Sequence, residues 1–383
     1  MSREDPDGPP AQATGADSRR SAFWRGLTRP SLPALGITLL VASTLLAVSA
    51  QLVLSLTPES MASGLSNYIA AGPLLDERCL INGEGLALYY GKVATPDVVV
   101  YGTSSLRQVL GSGARLAEFM TEGVGSEVTV RNFCAGGISF WEVEAQVAHL
   151  PDDFVGIVVL SVNPANFCRS VDALRFVVTA NLWAWPQEVL ENAAREQGVA
   201  LPEHTGNYFL DHRRFFVLRF RNVLYNGMIG RFPPVERAFL QPGATRSRPE
   251  AAWRHSALVV RERLQAYDER FDLNRAVLER IVKTLNQRPG VRVALVESPH
   301  NPVYVEKYMG AEFHARHVAN IAAFSERQGV AFIDLNREVG YVAEDFVDVC
   351  HVWSTATRVR SQRVLSEALV RIFKDRSEER RSP

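Results

Sequence analysis

The chain carries no surplus of charge: 42 Lys and Arg residues balance 42 Asp and Glu residues over 383 positions. Proteins that hold nucleic acid gain affinity by releasing counterions from phosphates onto a basic surface. Without that surplus, nucleic acid is not an expected partner. Cysteine is sparse, with Cys79, Cys134, Cys168 and Cys350 only. No pair has Cys-x-x-Cys spacing and none stands with histidines as in a zinc site, so no metal is expected. No internal repeat is present. What remains, 46% hydrophobic and 22% charged residues, is ordinary globular composition that can build a sizeable core.

Residues 1–32 are rich in Pro, Gly, Ser and charge and lack an apolar period, so a disordered cytoplasmic tail is expected there. Residues 33–56, PALGITLLVASTLLAVSAQLVLSL, contain no charge. At a rise of about 1.5 Å per residue such a segment crosses a ~30 Å hydrocarbon layer as one transmembrane helix. Arg19, Arg20, Arg25 and Arg29 precede it, and no Lys or Arg follows until Arg78. That asymmetry puts the N-terminus in the cytoplasm and the remainder outside, in the periplasm. Val48-Ser49-Ala50 also resembles a signal-peptide cleavage site, although apolar residues continue past it to Leu56. Outside the cytoplasm disulfides are permitted, and the spacing of the four cysteines does not choose among pairings.

After a connecting segment, 57–96, the pattern changes. Short β-branched runs at Asp97–Tyr101, Val128–Phe133, Ile157–Val162, Val291–Val296 and Val330–Leu335 read as buried strands. Helical patterns at Ser105–Phe119 and Ser139–His149 separate the first three, and this alternation predicts an α/β domain over 97–375 with a parallel sheet covered on both faces. From about 171 to 287 the period is helical, including the aromatic-rich run Arg214–Phe232, and reads as a helical insertion. Residues 376–383 form a charged tail.

In an open parallel sheet, sites assemble where strands end. The first strand is followed by Gly102-Thr103-Ser104-Ser105, which offers a hydroxyl at the start of a helix. Ser104 is a candidate nucleophile, and equally either serine is a candidate helix cap. The second strand leads to Gly136-Gly137, where backbone N–H groups can approach a developing oxyanion and where a simple turn is the alternative. The third leads to Asn163-Pro164-Ala165-Asn166, with a carboxamide donor in a motif that also opens loops. Near the C-terminus Asp348 precedes His351 by three residues, so the carboxylate can orient the imidazole as general base, unless both are ordinary loop residues. His300 follows the fourth strand and either lines the same cleft or is structural. Cys134 and Cys350 flank this edge as a candidate disulfide or as small buried hydrophobes.

Taken in chain order these signals resemble the SGNH/GDSL hydrolase superfamily over about Val98–Leu369. The resemblance implies a flavodoxin-like three-layer sandwich with a five-stranded parallel sheet. It also implies a triad of Ser104, Asp348 and His351, and oxyanion donors from Gly136, Gly137 and Asn163. Thr103 stands where the family usually has Asp, Asn163 lacks the common Gly-x-Asn-Asp setting, and Val352-Trp353 follows the histidine. The single span and the insertion are similar to envelope acyl-transfer accessory proteins of the alginate O-acetylation and teichoic acid D-alanyl transfer kinds. This implies an acyl donor, a polysaccharide or glycan acceptor and a membrane acyltransferase partner, with no cofactor. The competing expectation is a non-catalytic binding or assembly protein of the cell envelope that kept the fold.

Overall fold

The computed structural model describes residues 32–62, 77–185, 188–217 and 246–379. The expected tail up to residue 31 and positions 218–232 of the aromatic-rich run lie outside the described residues. The chain separates into two units, 1–55 and 56–383. In the first, helix α1 (Leu32–Leu54) has 23 residues, no charge and a mean hydropathy of 2.2, and is long and apolar enough to cross a membrane.

In the second unit a short helical turn at Pro58–Ser60 precedes α2 (Glu77–Tyr89), after which strand and helix alternate. Strand β1 (Val98–Tyr101) is followed by α3 (Ser104–Leu110), α4 (Ala114–Val124) and β2 (Val130–Asn132). Helix α5 (Phe140–Ala148) leads to β3 (Ile157–Ser161). The expected single helix over Ser105–Phe119 is two, because Gly111 and Gly113 take φ of 60° and 90°, a left-handed backbone region that ends one helix before the next begins. Helices α6 (Ala173–Ala180), α7 (Glu188–Glu196), α8 (Glu250–Leu264) and α9 (Tyr267–Asn286) follow, with no strand among the described residues of this segment. Then come β4 (Arg292–Glu297), α10 (Ala311–Gln328), β5 (Ala331–Asp334) and α11 (Thr355–Glu379). The helix α11 thus continues into the charged end of the chain.

All five strands are parallel in the order β2-β1-β3-β4-β5, the flavodoxin-like arrangement. β1, β3 and β4 are buried on both faces, which explains their unbroken apolar runs. Alternate residues supply two cores. Val98, Val100, Ile157 and Val159 pack with Leu106, Leu116, Met120, Leu365 and Leu369 from α3, α4 and α11. Val99, Tyr101, Val158 and Leu160 pack with Trp141, Val277, Ile281 and Ile321 from α5, α9 and α10. The sheet therefore lies between two helical layers. Helix α9, the last of the helical segment, serves as the crossover into β4. Its Arg280 binds Glu144 of α5 at 2.7 and 3.0 Å and lies 5.3 Å from the Trp141 ring centroid.

Gly156 opens β3 against the first residues of the domain. A β-carbon there would collide with the carbonyl of Asp97, a backbone group that cannot turn aside. The Gly156→Ala variant is expected to lose about 1–3 kcal/mol of unfolding free energy through overpacking, read as a lower urea midpoint. An unchanged midpoint would contradict the close approach.

Candidate active site

Five parallel strands bring the loops at their C-terminal ends to one edge, and short-range packing fixes the first of these loops. A β-carbon on Gly102 would stand 2.7 Å from Ser161 Cβ and 2.9 Å from Cys134 Sγ, so only glycine lets the chain pass between the β2 and β3 ends. Thr103, not a serine, occupies the N-cap of α3 and makes no side-chain cap bond. Its hydroxyl instead pairs with Ser105 Oγ at 2.8 Å and accepts a hydrogen bond from Asn163 Nδ2 at 2.9 Å. Ser105 is thereby occupied, and Ser104 Oγ lies 2.9 Å from His351 Nε2.

The loop that carries His351 is shaped by local hydrogen bonds. Phe346 and Val352 form an antiparallel bridge, and Val347 N–H donates to the His351 carbonyl at 2.9 Å. Inside this turn Asp348 Oδ1 accepts the backbone N–H of Cys350 at 3.0 Å and of His351 at 2.9 Å. The same carboxylate meets His351 Nδ1 at 2.9 and 2.8 Å. Since Nδ1 donates to a carboxylate, the neutral ring presents an acceptor Nε2 to the serine hydroxyl.

Two clamps hold this loop against the rest of the edge. Gln108 of α3 donates to the Val352 carbonyl at 2.8 Å, tying the Ser104 helix to the residue after His351. From the β4 end, Asn301 Nδ2 donates to the Asp348 carbonyl at 3.0 Å and its backbone N–H to the Val349 carbonyl at 2.9 Å.

Electrostatics follow from these contacts. Burial disfavours the His351 imidazolium, but the neighbouring Cys350 sulfur and the Asp348 carboxylate outweigh it and raise the pKa well above the ordinary histidine value. Burial likewise disfavours ionised Asp348, yet its hydrogen bonds from His351 and the two backbone N–H groups hold its pKa below the usual carboxylate value.

The remaining expected residues lie on adjoining loops. Gly136 and Gly137 form the turn after β2, joined to the Ser104 loop through the Ala135 N–H to Gly102 carbonyl bond of 2.8 Å. The Arg169 guanidinium stands over Gly137, with Nη2 3.3 Å from where a β-carbon would sit. Asn163 is buried beside Thr103, whereas Asn166 Nδ2 turns to the Ile138 carbonyl at 3.2 Å. Of the two asparagines, Asn163 is the one that contacts the Ser104 loop. Beyond Asn163 a cavity of about 730 Å³ is lined by apolar side chains, among them Val259 and Val260, and by charges of both signs, Arg263 and Arg270 with Asp172 and Glu262.

Two open alternatives are decided. Cys134 and Cys350 are both free thiols, as is Cys168, so no disulfide joins the two loops. Cys134 packs as a buried hydrophobe against Gly102, and burial pushes its thiol pKa up. His300 does not turn its ring to Ser104, Asp348 or His351; its Nε2 bonds Glu297 Oε1 at 2.8 Å, inside the sheet edge. Sequence reasoning overlooked Gln108 and the hydroxyl of Thr103. Neither residue type signals such a role until its partner, 244 or 60 positions away, is seen beside it.

No protein-family model matches this chain, and no curated protein matches it. Among solved structures it is similar to a Bacteroides fragilis NCTC 9343 protein provisionally named an acylhydrolase, with 11% identity, a TM-score of 0.34, and coverage of 76% of this chain and 94% of that one.

The raised pKa gives a direct test. In an NMR titration, the His351 ring should hold its proton to a pH above the ordinary value of about 6.5. Asp348→Asn should bring the midpoint down by roughly 1–3 pH units, because the carboxylate stabilises the protonated ring. A wild-type midpoint at or below the ordinary value would contradict the described electrostatics.

Proposed function

We propose that the chain is a membrane-anchored serine O-acyltransferase or esterase whose domain at 97–375 works outside the cytoplasm on a cell-envelope polysaccharide or other glycan. The observation that carries this reading is the continuous chain Ser104 Oγ–His351 Nε2, 2.9 Å, and His351 Nδ1–Asp348 Oδ2, 2.8 Å. Such a chain matches a hydroxyl, its base and the group that orients the base.

In the proposed reaction His351 Nε2 takes the Ser104 proton as Oγ bonds to the acyl carbon of the donor. The second N–H of Asn163 Nδ2, whose first goes to Thr103, and backbone N–H groups at Gly136 and Gly137 are the candidate donors to the oxyanion. When the tetrahedral adduct collapses, the bond from the acyl carbon to the donor's leaving oxygen breaks. That oxygen receives the proton held on His351. An acceptor hydroxyl then repeats the sequence in reverse, giving its proton to His351 and taking the acyl group from Ser104. With a sugar hydroxyl the outcome is transfer, and with water it is hydrolysis. Only the neutral imidazole accepts the first proton, so a raised His351 pKa implies rates that climb as pH rises through it.

The charge-free helix α1 supports the anchor, and the arginines ahead of it support a cytoplasmic N-terminus. The cavity beyond Asn163, lined by apolar groups and charges of both signs, offers room for part of a donor or acceptor. The alternative is a non-catalytic binding or assembly protein of the envelope. It is favoured by Asn163, whose carboxamide is already engaged by Thr103.

Labelling of the detergent-solubilised chain with a fluorophosphonate separates the two readings. Wild type and Ser105→Ala are expected to label, and Ser104→Ala and His351→Ala to lose labelling while remaining folded by circular dichroism. A folded wild type that stays unlabelled, or labelling that persists in Ser104→Ala, would overturn the enzymatic reading.

A further inference from the structure

Behind the β4 end four titratable side chains converge in a place that the proposed acyl chemistry does not use. Glu297, the last residue of β4, is fully buried. His300 follows three positions later, and His314 and His317 lie three residues apart on α10. Glu297 Oε1 is 2.8 Å from His300 Nε2 and 3.7 Å from His314 Nε2, and Oε2 is 3.2 Å from His317 Nε2.

We propose that Glu297, His300 and His314 form a binding site for a divalent first-row transition-metal ion of the zinc type, with His317 holding the carboxylate in place. One carboxylate oxygen and one ring nitrogen from each of the two histidines all lie within 4.8 Å of one another. Ligand atoms bound at about 2.1 Å in a tetrahedron stand roughly 3.4 Å apart, and the 2.8 and 3.7 Å separations bracket that value. A small opening at His300 and a small closing at His314 complete the geometry.

Charge and hydrogen bonding favour an ion over a simple buried pair. One imidazolium suffices to neutralise one buried carboxylate, yet three imidazoles surround Glu297. His314 Nε2 is buried and, at 3.7 Å from Glu297 Oε1, too far for a hydrogen bond, an arrangement that costs stability unless something else engages it. His317 is different, since both its nitrogens are occupied. Its Nε2–H donates to the Val162 carbonyl at 2.7 Å and to Glu297, and its Nδ1 pairs with the Tyr267 hydroxyl at 2.8 Å. It therefore acts as an outer support of the kind that orients metal-binding carboxylates.

The donor set selects the ion class. Two imidazoles with one carboxylate suit zinc and its neighbours, whereas magnesium and calcium prefer oxygen alone. A cavity of about 230 Å³, lined in part by His300, His314, Asn336 and Tyr341, gives access and room for a fourth ligand such as water. The site also touches the loop that carries the proposed triad. His300 N–H binds Asn336 Oδ1 at 2.7 Å, and the next residue, Asn301, clamps the carbonyls of Asp348 and Val349.

The test uses the full chain in detergent, free of any polyhistidine tag and stripped with a chelator. Titration with Zn²⁺ by calorimetry should give one ion per chain, and Co²⁺ should produce the visible absorption of a four-coordinate nitrogen and oxygen site. His300→Ala and His314→Ala should weaken Zn²⁺ binding by at least about tenfold, as loss of metal-site contacts commonly does. His255→Ala, at an exposed position of α8, should leave it unchanged. Because a buried variant can fail to fold, melting is read in parallel: Zn²⁺ should raise the melting temperature of wild type and not of Glu297→Gln. A folded wild type that takes up no Zn²⁺, or equal binding by wild type and His314→Ala, would overturn the site.

Discussion

The parallel pairing of β1 with both β2 and β3 is the constraint on which the rest of the molecule depends. It sets Val100 beside Asn132 on one side and Val159 on the other, so the loops that follow must pack side by side. There is no room among them for a side chain at Gly102, and this crowding aims Ser104 away from the sheet toward the loop of His351. The two valine-rich faces serve the same end, because a sheet sealed on both sides is a rigid platform. Loops fixed to such a platform hold hydrogen-bonding groups at distances that a mobile surface would not maintain.

The strands were legible because each is a short β-branched run closed by glycine or a polar turn, and doubly buried parallel strands must be continuously apolar. The parallel order was legible from the helices between them. Boundaries were less so. The apolar period over Ser105–Phe119 runs through Gly111 and Gly113, and only the left-handed backbone at both glycines reveals two helices. In the long helical segment, α9 has the same periodicity as its neighbours. Its place as a crossover appears once Val277 and Ile281 are seen against the sheet and Arg280 against Glu144 and Trp141.

At the edge, Asp348 and His351 could be paired from sequence because one tight turn contains both. Their meeting with Ser104 spans 247 positions, and there the order of motifs along the chain was the only guide. Thr103 looked like a departure from a familiar pattern, and the structure gives its hydroxyl two partners. Cys134 and Cys350 had compatible positions for a bond but face different neighbours. His300, read alone, gave no hint of His314 and His317, because a helix and a strand end must be superposed before three imidazoles and one carboxylate come together.

The separation between the two halves of the edge has a consequence for the order of events in the life of the chain. Ser104 and its helix belong to the first βα unit, and that unit emerges from the ribosome long before His351. Until the later segment has been made and Gln108 has found the Val352 carbonyl, the serine is an ordinary alcohol with no base beside it. The contact between Ser104 and His351 is thus absent through most of the chain's synthesis and arrives only with closure of the last loop.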